Sequence, residues 1–243
     1  MSSFFHAILT QPLFNALVFL YENITFQDFG FAIIGLTLLI RLILYPVFYK
    51  GLKNQTIMQK MQPEIKEAQK KHKGNREAQA LALMEIYKKY NVSPFAPFLY
   101  LMIQLPILIA VYRVFLKGFS TETMTQLYSF IPAPEQIHTL FLGLIDITET
   151  SIIIVILAVV AQYIQTKMSL KPRAVGPATD ASSKMASYMV YIAPLITLLF
   201  LMNLPSAIGL YWLTTAIFSI FQQKIINKKL AAEDLGRLAS TGK

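Results

Sequence analysis

The chain has 243 residues, 55% of them hydrophobic and only 14% charged, with a mean hydropathy of +0.50 and a formal net charge of +9. A soluble globular domain carries about 25% charged residues, so this composition excludes one and points to a polytopic membrane protein. There is no cysteine, which excludes disulfides, a thiolate nucleophile, a cysteine metal site and a lipid-attachment cysteine.

The start, MSSFFHAILTQPLF, has neither a basic n-region nor an A-x-A-like cleavage site, and no removable signal is read in it. Within residues 1–28, Gln11–Tyr21 is too short to span and follows a turn expected at Pro12. It reads as an external, interfacial amphipathic helix.

Residues 29–50, FGFAIIGLTLLIRLILYPVFYK, read as one continuous first span. Arg41 falls near its middle, where an arginine costs about 2.5–3.5 kcal/mol on insertion scales and needs a wet or polar setting. Thr37, one turn earlier on the same face, is expected to line that setting. The alternative is a span that stops short, with Arg41 at an interface. The apolar Leu42, Ile43, Leu44 and Val47 argue for the longer span.

Residues 51–93 are polar and helix-forming, with a break at Lys71–Asn75. Ile57, Met61, Ile65 and Ala68 form one apolar stripe before it, and Ala80, Leu83, Met84, Tyr87 and Tyr90 form another after it. The spacing predicts a cytoplasmic antiparallel helical hairpin with arms roughly 25–30 Å long, turned or kinked at Pro63. Its tip carries Lys70, Lys71, Lys73 and Arg76. The hairpin is read as a partner-binding element, with a solvated spacer as the alternative.

Residues 94–117 form the second span, which contains Gln104 and Pro106. A glutamine there either bonds a neighbouring helix or lines a polar cavity. Residues 118–149 make an external loop whose Ile137–Ile147 run is too short to cross and lies against the surface or dips in. The third span, 150–168, has Gln162 and Gln165 on one face; a flexible basic loop, 169–184, follows with Pro172, Gly176 and Pro177. The fourth span is 185–204 and the fifth 205–226. Tyr211 and Trp212 stand about one turn into the fifth, as interfacial anchors or as site residues. Residues 227–243 are a short basic tail, expected to fray.

With five spans and the N-terminus outside, every Lys and Arg except Arg41, Arg113 and Lys117 falls on the cytoplasmic side. Glu22, Asp28, Glu122, Glu135, Asp146 and Glu149 collect opposite. The basic excess is therefore an orientation signal before it is a binding surface, and it calls for no specific nucleic acid. No HExxH, GxSxG or glycine-rich phosphate loop occurs, and no carboxylate lies within a span. His6, His72 and His138 fall on separate segments. The chain reads as no enzyme, with no catalytic residues, metal or cofactor.

Four blocks, LTLLIRLILYP, MQKMQPEIKEAQKKHKGNREAQALALMEIYKKYNVSP, LYLMIQLPILIAVYRVF and GLYWLTTAIFSIFQQKIIN, resemble in this order and spacing the YidC/Oxa membrane protein insertases, from about Gln11 to Asn227. The resemblance implies an all-α, five-helix core with a hydrophilic groove open to cytoplasm and lipid and closed on the outer side. It places Arg41 and Thr37 in the groove and Tyr211 and Trp212 on the path of the substrate helix. Gln104 falls in the I-Q-x-P block, and Gln162 or Gln165 in its third-span counterpart. The extra first helix and large periplasmic domain of the Gram-negative form are missing, as are the lipoprotein signal and cysteine of many Gram-positive forms.

The implied function is insertion and assembly of nascent membrane proteins, above all short single- or double-span ones, in the bacterial plasma membrane. The implied partners are those substrates and membrane lipids, with a Sec-type translocon, a ribosome or targeting factors met through the hairpin; the chain is expected to act as a monomer. Two alternatives stay open. One is an assembly chaperone without autonomous insertion, and the other a small anion transporter, against which the lack of an internal repeat argues.

Overall fold

The computed structural model describes residues 2–93, 95–117, 121–169 and 181–241. Most of the expected loop 169–184, including Pro172, Gly176 and Pro177, lies outside the described residues. The protein is predominantly helical.

The chain enters through α1 (Ser2–Phe5), a π-helical segment (His6–Thr10) and α2 (Gln11–Asn23), which run on without a turn. This corrects the turn expected at Pro12. Proline at the start of α2 has no N–H to give, and the preceding π segment, closed by the Gln11 N–H to His6 O bond, widens the backbone there. α2 buries Phe14, Asn15, Leu17, Val18 and Tyr21, largely against α3 (Phe29–Ile43). Asp28 caps α3, its Oδ1 accepting from the Phe31 N–H at 3.1 Å.

The expected continuous helix 29–50 is broken. α3 ends at Ile43, and at Leu44 the chain bends by 74° into α4 (Tyr45–Lys60). Pro46 explains the place: it leaves one carbonyl of the preceding turn without an N–H, and it sits in the first turn of α4, where proline is tolerated. α4 gives way at Met61 to α5 (Gln62–Lys71), with Pro63 in its first turn, as the sequence led one to expect. The chain then turns through Gly74, at φ +96°, into α6 (Arg76–Lys89), capped by the Asn75 side chain. α5 and α6 pack on one another, and the Glu64 carboxylate accepts from Lys89 Nζ at 2.8 Å and from the Tyr90 hydroxyl. Met61 and Ile65 are buried as the first stripe required, but Ala80 and Met84 of the second face outward. Apolar residues surround α6 on several sides, so periodicity alone misplaces its packed face.

α7 (Ala96–Lys117), α8 (Thr121–Met124), α9 (Ile152–Ser169), α10 (Ala181–Leu201) and α11 (Ser206–Thr241) complete the helices. α11 stays helical well past 226, where a frayed tail was expected. Between α8 and α9 two short strands, β1 (Leu140–Phe141) and β2 (Ile145–Asp146), pair antiparallel with Phe141 opposite Ile145. This small ladder departs from the all-α expectation. It is fastened to the end of the bundle by polar contacts. Asp28 Oδ2 accepts from the Leu142 N–H at 2.8 Å, and the Tyr21 hydroxyl donates to Gln136 O at 3.2 Å while accepting from the His138 N–H at 2.9 Å. Beyond the ladder, Ile147 O and Glu149 O accept the Ala207 and Ser206 N–H groups at 2.9 and 2.8 Å, satisfying the start of α11.

The core joins Leu17, Val18, Ala32, Ile33, Leu36, Ile107, Val111, Ile154, Leu210 and Tyr211. Around it, α7 exposes Met102, Leu105 and Ile109, and α9 exposes Ile153, Ile156, Leu157 and Val160. Water does not favour such flanks, whereas lipid does. Among the described residues, Phe98–Phe115 and Ile152–Ser169 are each long and apolar enough to cross a bilayer, and α3 with α4 makes a third if counted as one broken span.

Candidate functional site

Arg41 lies in the last turn of α3 and is only 7% exposed. Across the bend, the Phe48 ring of α4 comes under its guanidinium, with Cζ 4.1 Å from the ring centroid. Among the described residues no carboxylate pairs with it. The Tyr211 hydroxyl on α11 is within electrostatic reach of Arg41 and accepts from Gln104 Nε2 on α7 at 3.4 Å. Thr37 is buried on the same turn sequence as Arg41, but its hydroxyl donates to Ile33 O at 2.7 Å, so its proton is already committed.

Trp212 belongs to a different neighbourhood. Consecutive helical residues point about 100° apart, so it cannot share the direction of Tyr211. Its indole Nε1 donates to Gln162 Oε1 on α9 at 3.2 Å, and Phe200 of α10 packs at 6.2 Å between ring centroids. The expected single constellation is thus two: Arg41, Gln104 and Tyr211 on one side of α11, Gln162 and Trp212 on another. Gln165 joins neither; it is half-buried and its side chain makes no hydrogen bond among the described residues. Lys70, Lys71, Lys73 and Arg76 are exposed around the α5–α6 turn, remote in sequence and structure from both groups.

Sequence reasoning missed Phe48, whose relation to Arg41 depends on the bend. It also missed a polar cluster farther along α11. Gln223 Nε2 donates to Thr56 Oγ1 of α4 at 2.8 Å and to Asn227 Oδ1 at 2.9 Å, and Ser169 of α9 donates to Gln223 Oε1 at 3.4 Å. Next to it in sequence, Gln222 is buried with both amide atoms unpaired among the described residues. The visible signal was the pair Gln222–Gln223 closing an apolar run, read only as the end of a span.

Chemically, the Arg41 group can attract an anionic or polar group, since among the described residues the cation has no counter-ion. It contains no nucleophile or acid–base pair.

Fold and site together define a helical membrane protein with a buried cation that has no carboxylate partner among the described residues. The chain belongs to the 60Kd inner membrane protein family, whose profile matches residues 19–233. It is 31% identical over 229 residues to the membrane protein insertase YidC of Wolinella succinogenes, covering 94% of this chain and 39% of that protein. It is 30% identical over 228 residues to the YidC of Geobacter metallireducens, covering 94% and 38%. A solved YidC insertase structure, with its first transmembrane domain resolved, superposes with a TM-score of 0.56 at 26% identity, covering 90% of this chain and 45% of that one. The resemblance read from the four sequence blocks is borne out. The chain spans about two fifths of the length of these two curated relatives.

Proposed function

We propose that this chain is a membrane protein insertase: it receives the polar segment of a nascent membrane protein beside Arg41 and passes the adjoining hydrophobic helix into lipid. The observation that carries the reading is the buried Arg41 guanidinium, without a carboxylate partner and next to the Tyr211–Gln104 pair. In this reading five spans surround a hydrated groove, the N-terminus lies outside, and the basic segments face the cytoplasm of a bacterial plasma membrane. α5 and α6 form the cytoplasmic hairpin that meets incoming chains, a translocon or a targeting factor through Lys70, Lys71, Lys73 and Arg76. The protein acts as a monomer in contact with lipid.

The physical task is to move a few polar groups past hydrocarbon, where each costs several kcal/mol. A polar groove reaching into the bilayer shortens the dry path, and Arg41 adds attraction for acidic substrate tails. Burial of the substrate's apolar helix, at about 25 cal/mol per Å², drives the step without nucleotide. Trp212, half-buried and held by Gln162, gives the departing helix an aromatic surface, while Tyr211, buried and held by Gln104, stays beside Arg41.

The test is insertion of a short single-span protein with an acidic N-terminal tail into liposomes containing only this purified chain, scored by protease protection. Protection is expected well above empty liposomes, reduced in Arg41→Ala and largely retained in Arg41→Lys. Wild-type protection in both variants would remove the electrostatic role of Arg41. Protection no better than empty liposomes, from folded protein, would replace autonomous insertion with an assembly-chaperone role.

A further inference from the structure

Two turns at one end of the bundle carry large apolar side chains where backbone geometry disfavours them. In the α2–α3 turn, Phe26 and Gln27 have φ values of +54° and +60°, and the Phe26 side chain is 97% exposed. In the β1–β2 turn, the Leu144 N–H bonds Phe141 O at 3.0 Å, and both central residues have positive φ, Leu142 at +54° and Gly143 at +68°. The first central position of such a mirror-image turn favours Asn, Asp or Gly, because a bulky side chain is strained there. Here it holds a leucine, exposed beside Leu144, which is itself 83% exposed. Neither turn gains packing from these side chains, so local folding preferences do not account for them.

The two turns form one unit. Asp28 joins them, capping α3 through Oδ1 and accepting the Leu142 N–H through Oδ2. Phe26, Leu140 and Gly143 border the same shallow hollow. The apolar surface also continues along the protein: Phe141 stands edge-on to Phe31 at 5.3 Å, and Phe31 begins the exposed flank of α3 that runs on through Leu38 and Leu42. Whatever covers that flank therefore reaches the turns without a gap.

We propose that Phe26, Leu142 and Leu144 form a two-turn wedge seated in the lipid interface, holding the end of the bundle that carries Asp28 at a fixed depth in the bilayer. The proposal rests on the reading above that the bundle spans a membrane. Apolar side chains on an otherwise polar surface bury about 5–10 Å into the headgroup and acyl boundary. The Asp28 tie lets two short turns act as one anchor, and the neighbouring Asp146 carboxylate is engaged by Thr148, whose N–H and hydroxyl donate to its Oδ1 at 2.9 and 2.7 Å.

The cysteine-free chain makes the test direct. Single variants Phe26→Cys, Leu142→Cys and Leu144→Cys carry an environment-sensitive fluorophore in phosphatidylcholine vesicles, with Leu157→Cys on the exposed flank of α9 and Lys73→Cys at the α5–α6 turn as references. Labels at 26, 142 and 144 are expected to be quenched several-fold more by shallow doxyl lipid than by aqueous iodide. Position 157 responds to deep doxyl lipid and position 73 to iodide. Iodide quenching at 26 and 142, with 157 still deep, would overturn the wedge while leaving the membrane reading intact. Shielding at 26 and 142 from both quenchers would also overturn it, showing a protein partner or second copy on the turns. Iodide quenching at 157 would overturn the membrane reading itself and the wedge with it.

Discussion

The Trp212 indole N–H donates to Gln162 Oε1 at 3.2 Å, while its neighbour Tyr211 accepts from Gln104 at 3.4 Å, so α11 is tied to α9 and α7 by adjacent aromatic residues. Trp212 is the chain's one tryptophan and reports on its own bond. Gln162→Leu leaves the indole N–H unpaired. Its emission is expected to shift to the blue, with a loss of about 1 kcal/mol in stability. Unchanged emission and thermal unfolding would show that the bond is not maintained in solution.

Gly30 is a packing requirement. A Cβ built there meets Phe141 Cδ2 at 2.1 Å, inside any tolerable contact. Gly30→Ala is expected to displace the β1–β2 ladder and cost about 1–3 kcal/mol by overpacking. Adding Phe141→Ala should recover part of that loss in denaturant unfolding, because the second change removes the ring that the methyl group strikes.

The α5–α6 contact should respond to acid and to strong base. Lys89 first, and the Tyr90 hydroxyl second, hold the Glu64 carboxyl below its ordinary value of 4.5, and Glu64 holds the Lys89 ammonium above 10.5. The contribution from Glu64 is complete above 4.5 and is lost as pH falls through its lower folded value. That from Lys89 is complete below 10.5 and is lost as pH rises through its higher folded value. The distance between labels on α5 and α6 should therefore stay constant across the neutral range and lengthen at both ends. Glu64→Gln should remove the acid response. The pair is solvent-exposed, so the effect is small and weakens with salt.

Gln222 presents the opposite case, a buried amide with no partner among the described residues. Gln222→Met keeps its length and removes the unpaired groups, and thermal unfolding in detergent is expected to show a gain of about 1 kcal/mol. A loss instead would show that the amide is satisfied in the folded protein by a group beyond the described residues.

Residues that break an apolar run were legible in the sequence: Arg41, Gln104, Gln162, Tyr211 and Trp212 stand out because their surroundings are hydrocarbon. Which glutamine meets which aromatic was not, since that depends on the rotation of α7, α9 and α11 about their own axes. Pro46 marked the position of the bend, but a proline in an apolar run fits a gentle kink and a full break equally well. Phe48 was invisible as a site residue for the same reason. The β1–β2 ladder escaped because two-residue strands leave no measurable alternation, and its turn holds Leu142 where a recognisable hairpin signal would have Asn or Asp. The α5–α6 turn was readable because Gly74 and Asn75 perform their usual tasks there.

The bend at Leu44 also changes the electrical meaning of Arg41. In a straight helix to Lys50 the guanidinium would sit midway along a dipole and gain nothing from it. In the structure α3 stops just after Arg41, so the negative end of its dipole falls within a turn of the residue. A helix terminus in a partly buried setting contributes up to about 2 kcal/mol, against about 2.5–3.5 kcal/mol for inserting the charge. The helix that carries the residue thus offsets part of that cost. A charge held in this way needs less help from a counter-ion, and among the described residues Arg41 has no carboxylate partner.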